Sequence, residues 1–380
     1  VSFWQQSRPW DSTHGLFDWS ELESNEDYWN QSKWQLDEFT TPTPWCIANV
    51  TGMNGIGASL VGEPIQVNDE EAEVADFAVK LTNRPNPFMD IQIVPGYMSL
   101  GTTWATADVM NLEKSADGGA FGGIAFKGKP DAIQFDYIRS HGKATGDATA
   151  NEGEETYKAS TINASEPATV VAYLWKGQYA QANVPGETKF GSPNKVTMYN
   201  RDRNILGLET TTGGNVTTSD DAACVASVVK SIEGDQTGSL ATMVVDLNYG
   251  EFAGTDVLPD SLNIIFSASD YFGKRSKVGA GNTLVVDNVK LLYYHSLKDV
   301  TFDGKPVAFS EGNTATLTES YDANKLSYVK VGEGATVSSA FNKETNVLTL
   351  TVKAQDVRFN PEAVTTYTIQ FAPTETGIND

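Results

Sequence analysis

Six of the chain's eight tryptophans fall within its first 45 residues: Trp4, Trp10, Trp19, Trp29, Trp34 and Trp45. Phe3, Phe17, Tyr28 and Phe39 lie among them, interleaved with Asp11, Asp18, Glu21, Glu23, Glu26, Asp27, Asp37 and Glu38. An indole presents a flat apolar face that suits the C–H side of a pyranose, and nearby Asp, Asn and Gln suit its hydroxyls. The same rings also suit the anchoring of an irregular arm on a hydrophobic core. The sequence leaves both roles open.

Other chemistry is sparse. His14, His141 and His295 stand in no G-x-S-x-G or H-E-x-x-H context. Glycoside hydrolysis needs two carboxylates held roughly 5–10 Å apart, and no strand pattern here places two on one face. Cys46 and Cys224 fit either one disulfide or two separate thiols. Without a C-x-x-C or Cys/His cluster they make no zinc site. Asp287 stands out. Period-two alternation puts it with Val285, Val289, Leu291 and Tyr293, opposite Asn288 and Lys290, so an acid falls on an apolar face. A buried carboxylate must be hydrogen-bonded, paired or metal-bound. Its alternatives are a structural acceptor, a ligand of a structural Ca2+ and a pocket role.

The elements that position these residues read as strands. Short apolar or alternating segments recur between Gly, Pro, Asn and Asp turns, among them 74–82, 132–139, 169–175, 223–229, 240–247, 262–268 and 283–294. In 132–139, Ile133, Phe135, Tyr137 and Arg139 share one face. No amphipathic helix of about 12 residues intervenes, which predicts an antiparallel all-β sandwich rather than βαβ units. The polar, Gly-rich stretch 142–155 predicts a solvated loop.

The 380 residues carry 27 basic and 49 acidic side chains, a net charge of −22. Such a surface repels a phosphate backbone, so nucleic acid is excluded as a partner. No apolar run reaches the ~18 residues of a membrane helix. The acidity is uneven, since residues 297–374 carry only seven basic and nine acidic side chains. This break predicts a Trp-rich arm at 1–44 packed on a first domain at 45–296, a small β domain at 297–374 and a tail at 375–380. The chain begins at Val1, which fits removal of an upstream segment and hence export.

Four segments carry a resemblance: Trp45-Cys46-Ile47-Ala48-Asn49; Gly122-Gly123-Ile124-Ala125-Phe126 with Lys129-Pro130 and Phe135-Asp136-Tyr137; Leu262 to Ser269; and Gly279 to Leu284 running into Val286-Asp287-Asn288-Val289-Lys290-Leu291. In these the chain resembles the "putative carbohydrate metabolism domain" family of exported proteins in gut bacteria, with Ala268 and Asn282 departing from its pattern. The resemblance implies a β-jelly roll similar to carbohydrate-binding modules with an immunoglobulin-like companion. It also implies that the strand of Asp287 serves a structural Ca2+. The family supplies no catalytic residues.

The expected function is non-catalytic binding of an oligo- or polysaccharide by an envelope protein, lipid-anchored at the outer surface or in the periplasm, in polysaccharide utilisation. Trp45, Asn49, Tyr137, Ser267, Ser269 and Arg275 are the expected binding residues, Asp287 the metal residue, and a monomer the expected state. The alternatives are a glycoside-active enzyme on a jelly-roll scaffold and a structural or adhesive surface subunit.

Overall fold

A computed structural model describes residues 45–47, 50–51, 58–59, 62–67, 76–86, 89–100, 102–106, 117–121, 124–142, 144–145, 149–152, 155–158, 166–177, 222–272 and 278–373. The expected arm 1–44 and the tail 375–380 lie outside them. The described residues are nearly all β, with short 3-10 turns as the helical elements. The chain divides into two compact units. One comprises 1–127, 134–252 and 257–290; the other comprises 128–133, 253–256 and 291–380.

The strands that matter to the first unit are, in chain order, β1 (Cys46–Ile47), β2 (Gly62–Val67), β3 (Asp76–Thr82), β4 (Tyr97–Ser99), β5 (Ala132–Ser140), β6 (Ala168–Lys176), β7 (Ala223–Ile232), β8 (Gln236–Asp246), β9 (Ser261–Ser267) and β10 (Thr283–Leu292). One sheet runs β1-β4-β9-β6-β7 and a second runs β8-β5-β10-β3-β2. They pack face to face as a β-sandwich, Phe266 of the first meeting Phe135 of the second edge-on at 5.0 Å. The inner layer is aliphatic and aromatic: Val170, Ala172, Leu174, Ile264 and Phe266 from one side, Phe135, Leu81, Leu284 and Val286 from the other.

Strand β6 is buried on both faces, which explains its unbroken apolar run Val170–Trp175. The stretch 142–155 pairs in part instead of forming one loop. Ala144–Thr145, Thr149–Glu152 and Glu155–Lys158 make a three-stranded meander, because its glycines fall between segments that can extend.

The second unit holds β11 (Ser296–Phe302), β12 (Lys305–Pro306), β13 (Thr314–Ser320), β14 (Leu326–Val331), β15 (Thr336–Asn342), β16 (Val347–Lys353) and β17 (Val364–Ala372). Their orders are β12-β11-β14 and β13-β17-β16-β15. Alternation is clean here: Leu348, Leu350 and Val352 point inward with Tyr367, Ile369 and Phe371, against Leu297, Val300 and Phe302. Asp303 and Gly304 both have positive φ, 49° and 74°, the pair a tight hairpin turn requires between β11 and β12.

Candidate functional site

In the first sheet, residues directly opposite one another share a face. Tyr173 lies opposite Asn263 and Ser227, Thr169 opposite Ser267 and Ser231, Trp175 opposite Ser261 and Cys224, and Ser267 opposite Tyr97. Phe266 and Leu174 point into the sandwich, so this second set forms the outer face. It combines aromatic rings with amides and hydroxyls. Asn263 donates to the Tyr173 hydroxyl at 2.9 Å, and Tyr97 meets Tyr271 edge-on at 6.0 Å. Tyr271 in turn meets Phe272 at 5.0 Å. Most of these side chains are buried, whereas Phe272, Cys224 and Ser227 are half-buried.

At one end of the sandwich sits a knot of buried polar groups. Glu166, 4 % exposed, precedes β6. Its carboxylate accepts the Gly279 N–H at 2.6 Å and the Asp270 N–H at 3.0 Å. Arg139 is fully buried at the end of β5 and donates to the carbonyls of Ser140, Thr283 and Glu166 at 2.8, 3.0 and 2.8 Å. Burial pushes Glu166 up to about 7 from the usual 4.5, against the pull of those two N–H groups and of Arg139. Burial likewise brings the Arg139 guanidinium down to about 10. Asn83 completes the knot, donating to the carbonyls of Gly279 and Ala268 and accepting the Gly96 N–H. Both Glu166 oxygens face backbone donors, so this carboxyl holds loops together and is not poised to pass a proton to a substrate oxygen.

The expected site residues separate into two places. Trp45 is 8 % exposed, with its ring centroid 5.8 Å from Phe266, and Phe135 then meets Tyr137 at 5.9 Å. Trp45 and Tyr137 thus flank one aromatic row inside the sandwich. Ser267 and Ser269 are buried and hydrogen-bonded to each other at 3.0 Å, next to the outer face. Asn49 and Arg275 lie outside the described residues. The sequence reading missed Tyr97, Tyr173, Trp175, Asn263, Glu166 and Arg139. For Arg139 the signal was present, since alternation placed it with Ile133 and Phe135.

Asp287 is buried, as its neighbours implied, and its Oδ1 accepts the Asn288 N–H at 2.7 Å. Asn288 takes a positive φ of 48°, which ends the strict alternation of β10. Among the described residues no three His, Cys, Asp or Glu side chains cluster as metal ligands. The six to eight oxygens a Ca2+ requires are therefore not assembled from described acids around Asp287.

A Cys46–Cys224 disulfide is excluded by topology. The cysteines sit on β1 and β7, the two ends of the β1-β4-β9-β6-β7 path of one sheet. Four strand spacings put their backbones roughly 19 Å apart, and a disulfide needs Cα atoms within about 7 Å.

No protein-family profile and no curated protein matches the chain. Among solved structures it is similar to a "putative glycoside hydrolase" of Bacteroides thetaiotaomicron, at 14% identity and a TM-score of 0.31, over 61% of this chain and 57% of that one. The chain thus spans a little over half the length of that protein. It is also similar to the family 11 carbohydrate-binding module of Clostridium thermocellum, whose structure holds a β-1,3-1,4-mixed-linked tetrasaccharide. There the identity is 11% and the TM-score 0.22, over 68% of this chain and 93% of that one. Likenesses of this size are too weak to assign a fold or a ligand.

Proposed function

We propose that the chain binds an oligo- or polysaccharide without cleaving it, along the outer face of its β1-β4-β9-β6-β7 sheet. The observation that supports this is the juxtaposition on one face of Tyr97, Tyr173, Trp175 and Tyr271 with Asn263, Ser267 and Thr169. Rings of this kind stack on the apolar side of a sugar, and amides and hydroxyls pair with its hydroxyl groups. The glycan enters where Phe272, Cys224 and Ser227 leave this otherwise buried face half-open. Ser267 and Ser269 border this face, and Arg275 and Asn49 stand as further candidates. Trp45 and Tyr137 serve packing. With this reading go a jelly-roll topology for 45–296, an immunoglobulin-like fold for 297–374, a Trp-rich arm packed on the first domain, and export to the cell envelope with a lipid anchor.

The test is a glycan array on the purified chain, followed by calorimetry with the best glycan. Phe272→Ala and Trp175→Ala are expected to weaken binding at least tenfold. Phe272→Ala, at a half-buried position, should leave the melting temperature near that of the parent. Binding to no glycan, or sustained release of reducing sugar, overturns the proposal.

A further inference from the structure

Among the described residues the second unit has four sheet edges, and three are protected against pairing with another strand. Edge strand β12 is only Lys305-Pro306, a charge and a residue that cannot donate. Edge strand β14 carries Lys330. Edge strand β13 carries Glu319 and an irregular register between Thr316 and Ser320. Lysines, prolines, bulges and very short strands are the usual devices that keep an edge from recruiting another chain.

Strand β15 has none of them. Its seven residues, Thr-Val-Ser-Ser-Ala-Phe-Asn, hold no charge and no proline. It pairs with β16 in unbroken register from Thr336↔Lys353 to Asn342↔Val347. It ends its sheet, and Thr336, Ser338, Ser339, Ala340 and Asn342 are exposed. Among the described residues, no backbone hydrogen bond joins 336–342 to a strand other than β16. Antiparallel strands leave every second residue's N–H and C=O pointing away from the partner, so β15 presents a row of donors and acceptors to solvent.

We propose that β15 pairs antiparallel with β15 of a second copy of this chain, about a two-fold axis at Ser339. The strand is self-complementary in that register. Ser339 meets its own copy, Ser338 meets Ala340, and Thr336 meets Asn342. Val337 meets Phe341 twice, once on each side of the axis, and both side chains already pack against the core of their unit. β-Branched and aromatic residues make favourable cross-strand pairs. No like charges face each other, an unusual property in a chain of net charge −22. The two four-stranded sheets then form one sheet of eight. A single strand pair buries less than the ~1,200 Å² of a stable interface. The association is therefore weak and concentration-dependent, and it arises independently of the glycan face.

Sedimentation velocity of the full chain from micromolar to millimolar concentration tests this. The parent is expected to show reversible dimerisation. Ser339→Lys and Ser339→Glu each place two like charges at the axis and should weaken it at least tenfold, with unchanged melting temperature because Ser339 is exposed. An equimolar mixture of the two variants should recover the dimer. A parent that stays monomeric throughout overturns the proposal, as does a dimer indifferent to both substitutions or a mixture that fails to recover it.

Discussion

Folding takes the Glu166 carboxyl out of water and surrounds it with two backbone donors and a buried guanidinium. Burial outweighs those partners, so its folded pKa of about 7 lies above the unfolded value near 4.5. A group raised in this way favours the folded state most while both states are protonated. Its contribution is lost as pH rises from about 4.5 through 7, by at most about 3 kcal/mol. The melting temperature should therefore fall across that window, and Glu166→Gln should flatten the fall. Equal slopes in parent and variant would remove Glu166 as the cause. Asp287 poses the complementary question. Asp287→Ala strips the acceptor from the half-buried Asn288 N–H, which should cost about 1–3 kcal/mol. A chelator should leave the parent's melting temperature unchanged. A drop in the parent that the mutant does not share would instead reveal a bound cation, since a ligand of the folded state alone stabilises it by mass action.

Elements were legible in the sequence wherever one face met a core and the other met water. Ala132–Arg139 and Val347–Val352 alternate, and the structure forms strands over both, from Ala132 to Ser140 and from Val347 to Lys353. β15 escaped notice because its only large apolar residues are Val337 and Phe341, four positions apart. Order within a sheet was not legible, because it depends on which strands meet after long excursions of the chain. That order separates the two cysteines. Intact mass should accordingly be the same with and without reductant, and two thiols should react once the chain is unfolded. The loop knot was equally hidden, since Gly142, Asn282, Asn83 and Glu166 come from four distant stretches. Gly142 donates its N–H to the Asn282 side chain, and a Cβ there would lie 1.9 Å from the Ala280 carbonyl oxygen. Gly142→Ala must displace that backbone. It should lower stability by several kcal/mol, within the range of the most damaging single substitutions, upwards of about 4 kcal/mol.

At the scale of the whole chain, the second unit is discontinuous in sequence. Most of it follows Leu291, yet it also draws on 128–133 and 253–256. Those pieces supply partners that the later residues need. Asp131 accepts the N–H groups of Tyr294 and Glu333, both at 2.7 Å. Its own N–H donates to the Leu292 carbonyl at 2.7 Å. Lys129, almost wholly buried, donates to the Thr255 carbonyl at 2.7 Å and lies 3.5 Å from Glu333. Hydrogen bonds to charged groups contribute about 1.5–3 kcal/mol each, and a small β unit holds only a few times that in total. A fragment of residues 291–380 should thus retain the Leu348–Ile369 core but lose several kcal/mol of stability. Amide exchange of β16 reads this directly, because its central amides open only with the unit as a whole. They should exchange at least a hundredfold faster in the fragment than in the full chain. Asp131→Ala in the full chain should speed them in the same direction by a smaller factor. Equal protection in fragment and full chain would mean that 291–380 is a complete domain and that Lys129 and Asp131 add nothing to it.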